Sequence, residues 1–252
     1  MKGENNNHLP AVILARLSWV AITILVAVYI GYASIHGTNA ENAMSGGLNA
    51  CFTCPNGWNW HVLLSTLAFG IFMAEGLIAF AAPSRALGSR GIQMWWHLLM
   101  QTSALIMTWI GLAAIVATKV AQGYNSLYSV HSWCGVVVLA MFTLQYSFGL
   151  FAFFIFKRNL GKSETYRWWH SFFGFLTFFA GVETCVNGWA DMQMMNVDYG
   201  QPAYGSATMV GNGSILALWL LAASLFYIMV ANLKPAHRQI PLEFTKGQEE
   251  DV

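Results

Sequence analysis

Charged residues are what this chain has least of. Lys, Arg, Asp and Glu make up 9% of its 252 residues, against 56% hydrophobic, where a soluble domain carries roughly 25% charge. That deficit excludes an ordinary soluble domain and leaves a membrane-embedded one. The basic residues are too few and too scattered to build a nucleic-acid face, and the net charge of +1 leaves no electrostatic footprint for such a partner. Cysteine is scarce as well. Cys51 and Cys54 form the one CxxC, in CFTCPNG, and without a second CxxC there is no paired-CxxC zinc site. A small disulfide is the expected state of that pair where the compartment is oxidising, with a redox pair or half a metal site as the alternatives. Cys134 and Cys185 lie within apolar runs and read as core. No internal repeat or low-complexity tract is present. The polar opening MKGENNNHLP runs into an apolar stretch long enough to span, which reads as a signal anchor rather than a cleaved leader.

Six hydrophobic runs are present, at about Ala11–Ser34, Trp58–Ala81, Met94–Thr118, Val130–Phe156, Trp168–Ala190 and Met209–Asn232. Each is near the roughly 20 apolar residues that cross a bilayer as a helix. Breaker-rich connectors such as APSRALGSRG and DYGQPAYGS separate them. The expected fold is therefore an all-α membrane protein of six transmembrane helices. Residues 1–10 form an N-terminal tail, 11–232 the membrane domain and 233–252 a C-terminal tail. Basic residues set the orientation. Lys2, Arg16, Arg85, Arg90, Lys157, Arg158, Lys162, Arg167, Lys234, Arg238 and Lys246 fall on one side and Lys119 on the other. Both termini are accordingly expected in the cytosol; which membrane is involved does not follow from the sequence.

Histidines supply the chemistry. His8, His36 and His237 lie in tails or loops, whereas His61, His97, His131 and His170 each open one of four consecutive spans, helices two to five. With alternating helix directions, His61 and His131 share a depth near the outer face, and His97 and His170 share one near the inner face. A lone histidine beside tryptophans reads as part of the interfacial aromatic belt. Four of them, two at each depth, read instead as two facing imidazole pairs inside a central four-helix bundle. Such pairs suit the axial positions of b-type haem, and the bundle has flat or small neighbours to offer in Trp95, Trp96, Trp168, Trp169, Gly135, Gly149, Gly174 and Gly181. Catalytic zinc is a poorer match, because it needs three protein ligands converging at one point. Two haems with both axial positions filled would relay single electrons across the membrane. Glu75 and Glu183, inside helices two and five, read either as part of a proton path, as haem-adjacent hydrogen-bond partners or as satisfied polar residues. Two other readings stay open: a haem-free polytopic transporter or proton conductor, and a di-haem anchor subunit of a larger respiratory complex.

NSLYSVHSW, residues 125–133, resembles the N-LYSLHSW signature of the cytochrome b561 family of ascorbate-dependent transmembrane electron carriers. WHVLLSTLAFGIFMAEGLIAF resembles the family's second helix, with Val62 in place of the usual proline. WWHLLM, WWHSFFGFLTFF and the LQY of 144–146 resemble its third-, fifth- and fourth-helix segments. The histidine spacing is similar too: 36 residues from His61 to His97, 34 on to His131 and 39 on to His170. This likeness covers about 58–190. It implies haem ligation by His61 with His131 and by His97 with His170. It implies a cytosolic ascorbate donor, an outer acceptor that is monodehydroascorbate or a ferric chelate, and a homodimer. By the same resemblance Arg90 lies near haem propionates, Ser126, Leu127, Tyr128 and Ser129 line the outer haem, and Asp191 and Lys234 are haem contacts. The sequence departs from the family where a lysine is usual before the third-helix histidine, since Ile92, Gln93 and Met94 stand there, and at Ser163, where many members have arginine. Arg85, Arg90, Lys162 and Arg167 are the cations left to form an ascorbate site or to serve as ordinary cytosolic-side charge.

Overall fold

In the computed structural model, residues 8–36, 48, 57–81, 88–155, 163–198 and 205–233 are described, and among them every regular element is helical. Six rods follow in chain order. They are α1 (Leu9–His36), α2 (57–81), α3 (Arg90–Gln122), α4 (130–155), α5 (Glu164–Asp198) and α6 (Ser206–Leu233). The second and fourth are not uniform. α2 is α-helical over Gly57–Leu67, widens to a π turn at Ala68–Met73 and resumes over Ala74–Ala81; α4 is α-helical over Val130–Leu150 and ends in a π turn, Phe151–Ile155. The chain is an all-α, multi-pass integral membrane protein.

Local chemistry sets the helix ends. Ser89 caps α3 by accepting a hydrogen bond from the Ile92 amide, and Gly123 closes that helix with a left-handed φ of 71° that costs glycine no Cβ clash. Ser129 caps α4 in the same way, accepting from the Ser132 amide at 3.3 Å. Just before it Leu127 takes a φ of 55°, an uncommon conformation for a side chain of its kind. Ser163 accepts from the Tyr166 amide at the start of α5.

Five of the six rods are long and apolar enough to cross a membrane: Leu9–Gly31, Gly57–Phe80, Arg90–Gln122, Val130–Phe153 and Thr208–Ala231. The sequence pattern led to six, and α5 is the exception. Its phenylalanines are diluted by Trp168, Trp169, His170, Glu183 and Asn187. At 35 residues it is about 50 Å long, so length does not limit it.

The rods assemble as two hairpins with a flanking pair. α2 packs on α3 and α4 on α5, whereas the two hairpins meet more sparsely. The hairpins touch at mid-bundle. There Phe69, carried on the π turn of α2, lies against Gly181 of α5 and 6.0 Å from Phe142 of α4 between ring centroids. α1 and α6 pack on each other through Ile22, Val26, Leu218, Leu225 and other fully buried side chains. Cys185 is buried and Cys134 half-buried; both are free thiols.

α1 is pinned to the bundle by charge. Arg16 donates through Nε and Nη2 to the two carboxylate oxygens of Glu75 at 3.1 and 3.2 Å, and the Trp19 indole donates to the same carboxylate at 3.2 Å. Of the readings open for Glu75, the satisfied polar residue is the one this geometry matches. Glu183 lies on an exposed face of α5 with the Asn187 amide 3.5 Å away. Removing the arginine strands a carboxylate whose side chain is 12% exposed. Arg16→Met is therefore expected to destabilise the protein by about 2 kcal/mol, and Arg16→Met with Glu75→Gln by clearly less. Thermal unfolding of both variants in detergent micelles measures the difference.

Candidate haem sites

The four histidines come together two by two. His61 of α2 and His131 of α4 stand with ring centroids 5.9 Å apart and planes inclined at 78°; His97 of α3 and His170 of α5 stand 6.4 Å apart at 69°. Along α2, His61 and Gly76, which touches the second pair, are separated by about 20 Å of helix rise, so the pairs occupy opposite halves of the bundle.

Each imidazole is steadied by a helix other than its own. Nδ1 of His61 lies 3.0 Å from the Gly111 carbonyl on α3, Nδ1 of His97 2.7 Å from the Gly76 carbonyl on α2, and Nδ1 of His131 2.9 Å from the Thr184 carbonyl on α5. A carbonyl can only accept, so in all three the hydrogen is on Nδ1 and Nε2 keeps its lone pair. This tautomer is the one a metal-binding imidazole needs, with the second nitrogen held by a hydrogen bond. His170 differs: its Nδ1 faces the side-chain amide of Gln145 at 3.0 Å.

Glycines make the seats. A Cβ on Gly188 would stand 2.7 Å from Cε1 of His131, and one on Gly149 2.7 Å from Cε1 of His170. The glycines that hold the imidazoles are therefore Gly76, Gly111, Gly149 and Gly188. Of those noted for a macrocycle, Gly149 does so; Gly181 receives Phe69 and Gly174 lies against Gln145, while Gly135 meets a methyl of Thr184 at ordinary contact distance. A readable signal was present. His131 to Gly149 and His170 to Gly188 are each eighteen residues, five α-helical turns, which brings ligand and seat onto one helix face.

The surroundings separate the two ends. At the His97 end, Phe80 packs on His97 at 5.2 Å, and Phe153 and Tyr166 pack on His170 at 5.3 and 6.3 Å. Arg90 lies 5.8 Å above the Phe80 ring, one side chain removed from His97. Arg167 is half-buried in the first turn of α5. At the His61 end, Nζ of Lys119, 9% exposed, stands 5.6 Å from the Trp58 ring and 5.4 Å from Tyr128. The indole N–H of Trp58 is buried without a partner, and Asp191 is exposed on α5. In the sequence Lys119 stood out as the lone outer basic residue and received no role. Ser126, Leu127 and Tyr128 are exposed, and Ser129 serves as the cap of α4. Arg85, Lys162, Lys234, Cys51 and Cys54 lie outside the described residues.

These residues fit haem. Two metal–imidazole bonds of about 2 Å each would leave the two ring centroids about 6 Å apart, close to both observed separations. Among the described residues no three His, Cys, Asp or Glu side chains converge as a metal cluster.

A family profile described as Eukaryotic cytochrome b561 matches residues 60–196. The chain is 31% identical over 134 residues to a human transmembrane ascorbate-dependent reductase, covering 53% of each protein. It is 24% identical over 131 residues to transmembrane ascorbate ferrireductase 2 of Arabidopsis thaliana, covering 52% of this chain and 56% of that one. It thus spans about half the length of the curated relatives it matches. The chain belongs to the cytochrome b561 family, and membership implies haem b as its cofactor.

Adding a methyl group at a seat displaces the ring on it. Gly188→Ala and Gly149→Ala are each expected to weaken haem retention at one end by about tenfold, the usual scale for disturbing a ligand's support. Haem per polypeptide, measured after dilution and gel filtration, should fall toward half in either variant.

Proposed function

We propose that this protein carries electrons across the membrane one at a time, from cytosolic ascorbate to an acceptor on the opposite side, through two b haems. His61 and His131 hold one, and His97 and His170 the other. The observation that carries the reading is the pair of facing imidazole couples at opposite ends of one four-helix bundle. Haem b held between two histidines would supply one-electron iron chemistry, which suits relay better than oxygen chemistry.

The chain's own residues do the rest. Main-chain carbonyls of Gly111, Gly76 and Thr184 fix three ligands in orientation. Phe69, Phe142, Phe178 and Val138, all buried, keep water from the space between the pairs. Arg90 and Arg167 are the cations available to attract an anionic donor at the His97 end, and the resemblance adds Arg85 and Lys162 as candidates from the sequence alone. Lys119 and the unpartnered Trp58 N–H offer a charge and a donor at the other end, where an anionic acceptor such as monodehydroascorbate or a ferric chelate would arrive. Ascorbate as donor is suggested by the human and Arabidopsis relatives, an ascorbate-dependent reductase and an ascorbate ferrireductase. The bias of basic residues puts both termini and the His97 pair on the cytosolic side, and the resemblance points to a homodimer. A haem-free proton conductor is less well supported: Glu75 is engaged by Arg16 and Trp19 of α1, turned away from the histidines.

A reduced-minus-oxidised spectrum of the purified protein, with ascorbate followed by dithionite, tests this reading. A b-type α-band should form with ascorbate, and His170→Ala should lose about half the haem while the His61–His131 site remains. Reduction by dithionite but not ascorbate would remove ascorbate as donor and leave the relay. Well-folded protein without a haem band would end the reading.

A further inference from the structure

Each imidazole pair is shared between the hairpins. α2 and α3 contribute His61 and His97, and α4 and α5 contribute His131 and His170. The distance at which the hairpins stand therefore fixes the span of both pairs together. One packing contact lies at the right depth to hold that distance. Phe69 follows His61 by eight residues and precedes Gly76, whose carbonyl accepts from His97, by seven. It is thus about 10–12 Å of helix rise from either end.

The contact is confined from several directions. The Phe69 ring, 4% exposed, lies so close on α5 that a Cβ at Gly181 would run into its Cγ, Cδ1 and Cε1. Phe142 of α4 stands against it at 6.0 Å, with the ring planes inclined at 49°. Behind Phe69 the π turn is backed by the flanking pair: a Cβ on Gly70 would be 3.4 Å from Ile22 of α1 and 3.8 Å from Leu218 of α6. The same turn is tied to α3, where Gln101 donates to the Met73 carbonyl at 3.3 Å. Two hydrogen bonds also cross between the hairpins, from the Cys185 thiol to the Ser65 carbonyl at 3.7 Å and between the Thr102 and Tyr146 hydroxyls at 2.9 Å. They join the hairpins, but it is the ring that fills the space. A close-packed interior is nearly incompressible and passes strain on, so a change in the bulk of this contact is felt along the seam in both directions.

We propose that Phe69, seated on Gly181, is a positioning residue that sets the separation of the hairpins and through it the span of both imidazole pairs. The proposal rests on the bis-histidine reading above. Gly149 and Gly188 each seat one imidazole, so each acts on one end. Gly181 touches no histidine ring and acts on both ends at once.

Haem loss from the purified, haem-loaded protein to an excess of apomyoglobin tests this, with the two haems told apart by the spectra of His61→Ala and His97→Ala, each of which lacks one. Gly181→Ala should release both haems about tenfold faster, the scale of a methyl group forced into a filled space, whereas Gly188→Ala should speed the release of one. Adding Phe69→Leu to Gly181→Ala removes bulk where the methyl group added it and should return both rates toward wild type. Faster release of only one haem in Gly181→Ala, of neither, or no recovery with leucine would overturn the proposal. Should Gly181→Ala fail to fold, Phe69→Leu alone decides: release of both haems quickened by a similar factor supports the proposal, and one-sided or unchanged release overturns it. A wild-type protein without any b band would instead sink the haem reading itself.

Discussion

An imidazole buried in hydrocarbon must give its ring hydrogen to something, and three of the four here give it to the backbone of a neighbouring helix. Those bonds do two things at once. They satisfy a donor that would cost several kcal/mol if left unpaired in lipid, and they fix which nitrogen points into the bundle. The carbonyls are open to this use because the helices approach closely, and the approach is close because glycines line it. Ligand orientation, helix spacing and glycine placement are thus one constraint.

The two-hairpin architecture follows from it. Within α2 and α3 each helix carries a histidine near one end and a glycine near the other, and each glycine carbonyl accepts from the opposite helix's histidine. α4 and α5 vary the exchange: the Thr184 carbonyl accepts from His131, whereas His170 faces the side-chain amide nitrogen of Gln145. Each hairpin therefore holds one imidazole of each pair, and closing the bundle brings the halves of both sites together. Direct packing between the hairpins is sparse, with Phe69 and Phe142 meeting at mid-depth.

Much of this was legible in the sequence. Charge poverty and six apolar runs gave the class and the helix positions, and alternating helix direction gave the pairing of histidines by depth, which the ring separations match. The seats were less legible. Gly76 and Gly111 differ from other glycines in their helices only through the register of one helix against another, and no local pattern encodes that register. The eighteen-residue spacing in α4 and α5 could have been found, but it acquires meaning only once those helices are known to be an antiparallel pair. The Arg16–Glu75 contact joins residues 59 apart through a helix outside the core. α5 shows the opposite problem: its polar residues lowered its apolarity below that of its neighbours.

The π turn in α2 has a further consequence. His97 and Gly111 are fourteen residues apart on α3, whereas His61 and Gly76, their counterparts on α2, are fifteen apart. Fourteen residues come close to four α-helical turns, 14.4 residues, and a fifteenth would swing the seat away from its ligand's face. The π turn at Ala68–Met73 lies between the two and takes up one extra residue, so α2 counts as fourteen. The bulge therefore acts as an accommodated insertion, preserving the angular phase of both ends while pushing Phe69 out of the helix cylinder toward Gly181. One added residue would in this way have been converted from an indexing error into the aromatic wedge between the hairpins.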